Sequence, residues 1–130
     1  MTEHLRSKAE VDQFVLNHID TVPHLEALLL LWDSRPKPWS VQEMADGLYL
    51  TPVATRVILQ DLMRHRLITL AAEPADTYWY VSDAARDLLV SALQTTYRQE
   101  LIRLSRLIHS KAPAAVREFA RAFRFKKEPE

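Results

Sequence analysis

Trp39-Ser40-Val41-Gln42-Glu43-Met44-Ala45-Asp46-Gly47-Leu48-Tyr49-Leu50-Thr51-Pro52-Val53-Ala54-Thr55-Arg56-Val57-Ile58-Leu59-Gln60-Asp61-Leu62-Met63-Arg64-His65-Arg66-Leu67-Ile68 contains two helix starts in close succession. Ser40 followed by Glu43 is a capping box, in which the serine oxygen takes an orphan amide proton and the glutamate reaches back to the cap. Thr51-Pro52 is a second start, a hydroxyl cap with proline at the first helical position, opening a helix to about His65. Met44, Ala45 and Leu48 give the first short helix its apolar side. Thr55, Ile58, Leu59 and Leu62 follow the 3.6-residue period on the second. Two short helices separated by a turn of three or four residues make a helix-turn-helix pattern.

Upstream, Val11, Phe14, Val15, His18 and Ile19 form the stripe of a first amphipathic helix that ends before Pro23. Pro23 suits the first turn of a second helix, apolar nearly all round through Trp32 and therefore central. Ser34-Arg35-Pro36-Lys37-Pro38 must be a loop, since neither proline fits a helix interior. Downstream, Ile68-Thr69-Leu70 and Tyr78-Trp79-Tyr80-Val81 are β-branched or aromatic and flank Glu73-Pro74-Ala75-Asp76, the pattern of a two-stranded hairpin. Ser82 then caps a helix that the periodicity carries to about Ser110, roughly 42 Å at 1.5 Å per residue. Such a helix is longer than a domain of this size is thick.

Its apolar positions Leu89, Leu93, Tyr97, Leu101, Leu104 and Ile108, joined by Leu88, Ala92, Ile102 and Leu107, form a band wider than one seam. The length favours packing on the chain's own domain on one side and on a second copy on the other. The alternative is a fold back onto the first helix within one chain. A last helix opens at Pro113 and passes Phe119 and Phe123. Leu93, Tyr97, Leu101, Leu104, Ile108, Phe119 and Phe123 are the expected dimerisation residues.

Composition removes whole classes of function. The 130 residues are 48% hydrophobic and 26% charged, which fits one globular domain with an added association element. With one glycine, Gly47, the chain has no material for Gly-rich nucleotide loops. With no cysteine it has no disulfide, zinc ribbon, iron–sulfur site or thiol nucleophile. The longest strictly apolar run, Ala27 to Trp32, is far too short to span a bilayer, and the start lacks a signal-peptide pattern. A cytoplasmic location is the expectation. Seventeen basic and seventeen acidic groups cancel, yet residues 98–130 are +5 while the rest is −5. A nucleic-acid binder needs a local basic face, not a basic average.

In order of elements the chain resembles the MarR (multiple antibiotic resistance regulator) family of winged helix-turn-helix proteins. Leu50-Thr51-Pro52 resembles that family's "LSP" start to the recognition helix, with Leu67-Ile68 standing where its closing "GLV" falls. Trp39-Ser40-Val41-Gln42-Glu43-Met44-Ala45 resembles its supporting helix, and Val81-Ser82 with Ala84-Ala85-Arg86 its exit from the wing. The resemblance covers about residues 23–90 in motif. It implies a mostly α, winged helix-turn-helix fold, with a three-helix core, a two-stranded wing, and N-terminal and long C-terminal association helices. The expected division is 1–22 for an N-terminal association helix, 23–82 for the winged domain and 83–130 for dimerisation. The function implied is a homodimeric, bacterial-type transcriptional regulator that binds double-stranded DNA through the helix-turn-helix. Two positions depart from the family: Arg66 stands where glycine usually closes the recognition helix, and the wing tip Glu73-Pro74-Ala75-Asp76-Thr77 is acidic where arginines commonly enter the minor groove.

On the recognition helix Val53, Ala54, Arg56, Val57, Gln60 and Arg64 face outward. Arg56 and Gln60, four apart on one face, suit guanine and adenine edges, while Arg64 and Arg66, with His65, suit phosphates. Thr51, Ala54, Arg56, Val57, Gln60, Arg64 and Arg66 are therefore the expected DNA-contact residues. A merely solvated face is the plainer reading of Arg56 and Gln60. Outward Val53 and Val57 suit thymine methyls or a protein partner equally, which leaves a winged-helix interaction module as the alternative function. The five histidines, at 4, 18, 24, 65 and 109, show no metal-ligand spacing, so no metal or cofactor is expected. Ser34, Ser40, Ser82 and Ser110 have loop or cap readings, so no catalytic residue is expected. Trp32, Trp39, Tyr78, Trp79 and Tyr80 either pack or line a pocket for a small aromatic effector, the first being favoured. Arg117, Arg121 and Arg124 make the last helix basic; phosphate contact, membrane-surface contact and a solvated face compete there, and one short helix is a poor membrane anchor.

Overall fold

The computed structural model describes residues 7–110. Its elements are α1 (Lys8–His18), α2 (Val22–Asp33), β1 (Trp39–Ser40), α3 (Val41–Leu48), α4 (Pro52–Arg64), β2 (Ile68–Leu70), β3 (Thr77–Tyr80), α5 (Ala84–Gln99) and α6 (Leu101–Ser110).

Helix starts are set by short polar side chains. Ser7 with Glu10, and Ser40 with Glu43, form reciprocal capping boxes. Thr21 and Thr51 each accept a first-turn amide ahead of a proline. α5 is capped by Asp83, which accepts from the Arg86 amide, and not by the expected Ser82. The Ser82 hydroxyl instead donates to Asp87 at 2.7 Å.

α2 is the central helix, with Leu25, Leu28 and Leu31 fully buried. It packs against α3, α4, β3 and α5. Ile58, Leu59 and Leu62 close the core from α4. The wing is a three-stranded antiparallel sheet in the order β1-β3-β2, not the expected two-stranded hairpin. β2 and β3 pair as expected, with Ile68 opposite Tyr80 and Leu70 opposite Tyr78. The added strand pairs Trp39 with Tyr78 and Ser40 with Thr77. Two residues are too few to show an alternation, so this strand exists only through its partner.

The expected single helix from Ser82 to Ser110 is two helices. Glu100 leaves the helical region at φ −137°, ψ 46°, separating α5 from α6. The turn is held from α1: Arg103 donates to Glu100 at 2.5 Å and to Asp12 at 2.9 Å, and Lys8 pairs with Glu100 at 3.2 Å. α5 and α6 thereby both pack on α1. Leu93, Leu104 and Ile108, expected at a dimer contact, are buried in the chain's own core, while Leu101 is 42% exposed. Tyr97 is half-buried and donates to Glu26 at 3.0 Å. Phe119 and Phe123, with Arg117, Arg121 and Arg124, lie outside the described residues.

Candidate nucleic-acid interface

α3 ends at Tyr49, which takes the left-handed conformation at φ 59°. Its amide and that of Leu50 close back onto the last turn of α3, turning the chain within three residues to the Thr51 cap. α4 then stands with one side in the core and the other in solvent. Thr55, Ile58, Leu59 and Leu62 are buried, whereas Thr51, Val53, Ala54, Arg56, Val57, Gln60 and Arg64 are all exposed. Arg66, also exposed, sits in the left-handed region at φ 63°. A side chain thus occupies the position where glycine is the usual occupant.

Among the described residues neither Arg56 nor Gln60 is held by another side chain. Arg64 is paired with Asp61 one turn behind it. The other oxygen of Asp61 accepts from His24 Nε2 at 2.8 Å, tying α4 to α2. Burial pushes the Asp61 carboxyl up, but the His24 and Arg64 hydrogen bonds and charges outweigh it and hold the group below the usual carboxylate range. The i, i+3 spacing of Asp61 and Arg64 is visible in the sequence. The His24–Asp61 tie, which joins residues far apart in the chain, is not.

Tyr49, at 93% exposed, carries no local signal that singles it out. Val53 and Val57, also exposed, are apolar residues on the outward side of α4 that carries the two candidate base readers, while Tyr49 borders the cleft described below. The wing tip remains acidic: Glu73 and Asp76 are both exposed, and Asp76 is left-handed at φ 60°.

The aromatic residues considered for an effector pocket pack instead. Trp32 and Tyr80 meet edge to face with centroids 5.2 Å apart, Tyr78 is buried, and Arg35 lies 3.4 Å over the Trp32 ring. Lys37 covers Trp39, and Trp79 stays at the surface. A cleft of about 330 Å³ does lie between α2, the end of α3 and α5. It is lined by other residues, among them Glu26, Leu30, Tyr49, Tyr97 and Arg98.

No protein-family profile and no curated protein matches the chain. Its fold matches the crystal structure of MepR, a transcription regulator of the Staphylococcus aureus multidrug efflux pump MepA. The TM-score is 0.54 and the identity 19%, over 92% of this chain and 85% of that one. A glycine-to-lysine mutant of S. aureus MepR matches over the same shares of each chain, at TM-score 0.53 and 19% identity. The fold is the winged helix of the MarR type.

Proposed function

We propose that this chain is a DNA-binding transcription regulator that works as a homodimer and lays α4 in the major groove. The observation that carries the reading is the division of α4. The inward residues Thr55, Ile58, Leu59 and Leu62 are committed to the core, and Arg56 and Gln60, unpaired among the described residues, project four apart from a helix whose start is fixed by a cap and a turn. Arg56 suits the O6 and N7 acceptors of guanine, and Gln60 the N6 and N7 of adenine. Arg64 and Arg66 supply phosphate contacts, and Val57, Ala54 and Thr51 complete the contacted surface. Regulators of this fold, of which MepR is one by its description, are consistent with that use.

Selection of genomic fragments with purified protein at about 100 mM salt tests the reading, salt being stated because it sets the affinity. Enrichment of a short inverted repeat is the expected result. Arg56→Ala and Gln60→Ala should then each cost about 1–3 kcal/mol at the preferred site and relax base preference at one position. The exposed Tyr49, Val53 and Val57 and the acidic wing favour one competing reading, a winged-helix module that binds protein. Under it, no fragment is enriched and neither substitution changes DNA binding.

The cleft between α2 and α5 is the place for a small aromatic effector in this reading. Leu29, Leu30, Leu48 and Tyr97 offer apolar walls, and Glu26, Asp33 and Arg98 offer polar anchors.

A further inference from the structure

Beside Arg64, near the C-terminal end of α4, three chain segments bring metal-ligating atoms together. Asp20 comes from the α1–α2 connection, His24 from the first turn of α2 and Asp61 from α4. One ligand atom from each lies within 4.8 Å of the other two. We propose that Asp20, His24 and Asp61 form a binding site for a first-row divalent transition-metal ion.

The donor set is one imidazole and two carboxylates, which suits zinc, iron(II), cobalt or manganese better than magnesium or calcium, for which imidazole is a poor ligand. His24 is 94% buried. Its Nδ1 lies 2.6 Å from the Thr21 hydroxyl, so the ring is oriented from behind and Nε2 is aimed at Asp61 Oδ2, 2.8 Å away. An outer hydrogen bond of this kind is what orients an imidazole toward a metal. Two ligands on a tetrahedral ion stand roughly 3.4 Å apart, so seating the ion requires the His24–Asp61 pair to open by about 0.6 Å.

Asp61 Oδ1 remains with Arg64, whose charge partly offsets the two carboxylates. Asp20 and Asp61 are only partly buried, which leaves the remaining coordination positions on the solvent side for water. Asp20 and His24 stand four apart, but the third residue, Asp61, is remote in the chain, so no local spacing reveals the set.

A histidine pair, His18 and His65 with Nδ1 atoms 3.2 Å apart, stands close by in the chain, two residues from Asp20 and four from Asp61. The test separates it from the proposed site. Protein stripped with a chelator and desalted is titrated with cobalt(II) chloride while visible absorption is recorded. The expected result is a d–d band more intense than that of the hydrated ion, saturating at one ion per chain, and displaced by zinc but not by equimolar magnesium.

Asp20→Asn and Asp61→Asn should each weaken cobalt binding by about 10-fold or more. His18→Gln and His65→Gln should leave the titration unchanged. Asp20→Asn decides the matter if Asp61→Asn loses its helical circular dichroism, because Asp20 lies outside the helices. Three outcomes each overturn the proposal: a spectrum that stays that of the hydrated ion, a wild-type titration in the Asp20→Asn protein, or a loss that follows His18 or His65 instead. None of these outcomes depends on DNA binding.

Discussion

Asp87 gathers the exit from the wing onto α5. Its carboxylate accepts from the Tyr80 hydroxyl at 2.6 Å, the Ser82 hydroxyl at 2.7 Å and the Asp83 amide at 3.2 Å. Burial pushes the carboxyl up, but these bonds and the nearby Arg35 charge outweigh it and hold it below the usual carboxylate range. Burial, with Asp87 beside it, moves Tyr80 the other way, so the phenol keeps its proton. A carboxyl whose pKa falls on folding contributes stability that is fully present above its unfolded value, about 3.9, and lost as pH drops through the lower folded value. Asp87→Asn should therefore cost about 1 kcal/mol near neutral pH, a figure discounted for its partial exposure. The difference from wild type should shrink as pH falls below about 4. Thermal melts of both proteins across pH check this; a gap that stays constant down to pH ~2 would show that Asp87 acts through shape and not charge.

The wing and the recognition helix carry opposite electrostatics. With Glu73 and Asp76 exposed at its tip, the wing repels phosphate and should not enter a minor groove. Replacing both by Lys should strengthen non-specific DNA binding and steepen its salt dependence by up to about two phosphate contacts per chain. Weaker binding to a selected operator would instead show that these carboxylates make a specific contact. How legible each element was depended on where its determinants sit. The Ser40–Glu43 and Thr51–Pro52 starts are local, and both α3 and α4 begin where those signals stand. β1 was not legible because its partner, β3, is remote in the chain. Gln99-Glu100-Leu101 has neither glycine nor proline, and its break is imposed by Asp12 and Lys8 from α1. On the candidate interface, the inward and outward sides of α4 could be read from its period, but the left-handed turn that exposes Tyr49 could not.

The break at Glu100 changes what α5 and α6 can offer a second copy. A continuous helix would have carried Leu101 and Leu104 out beyond the domain. Folded back, α6 spends Leu104 and Ile108 on the chain's own core, and leaves Leu101 42% and Ile102 66% exposed side by side at its start. The proposed dimer then has these two residues available and Leu104 unavailable, and substitution separates the two roles. A carboxylate at Leu104 must be desolvated inside a core whose net stability is of order 5–15 kcal/mol, at a cost of several kcal/mol. Leu104→Glu should therefore abolish the cooperative thermal transition. Leu101→Glu combined with Ile102→Glu places its charges in solvent in the isolated chain, so it should keep wild-type circular dichroism while converting dimer to monomer. Light scattering at tens of micromolar protein, a range suited to mid-affinity dimers, reads the outcome. A monomeric wild type would remove the homodimer from the proposed function. A dimer that survives the double substitution would move its interface to another surface of the chain.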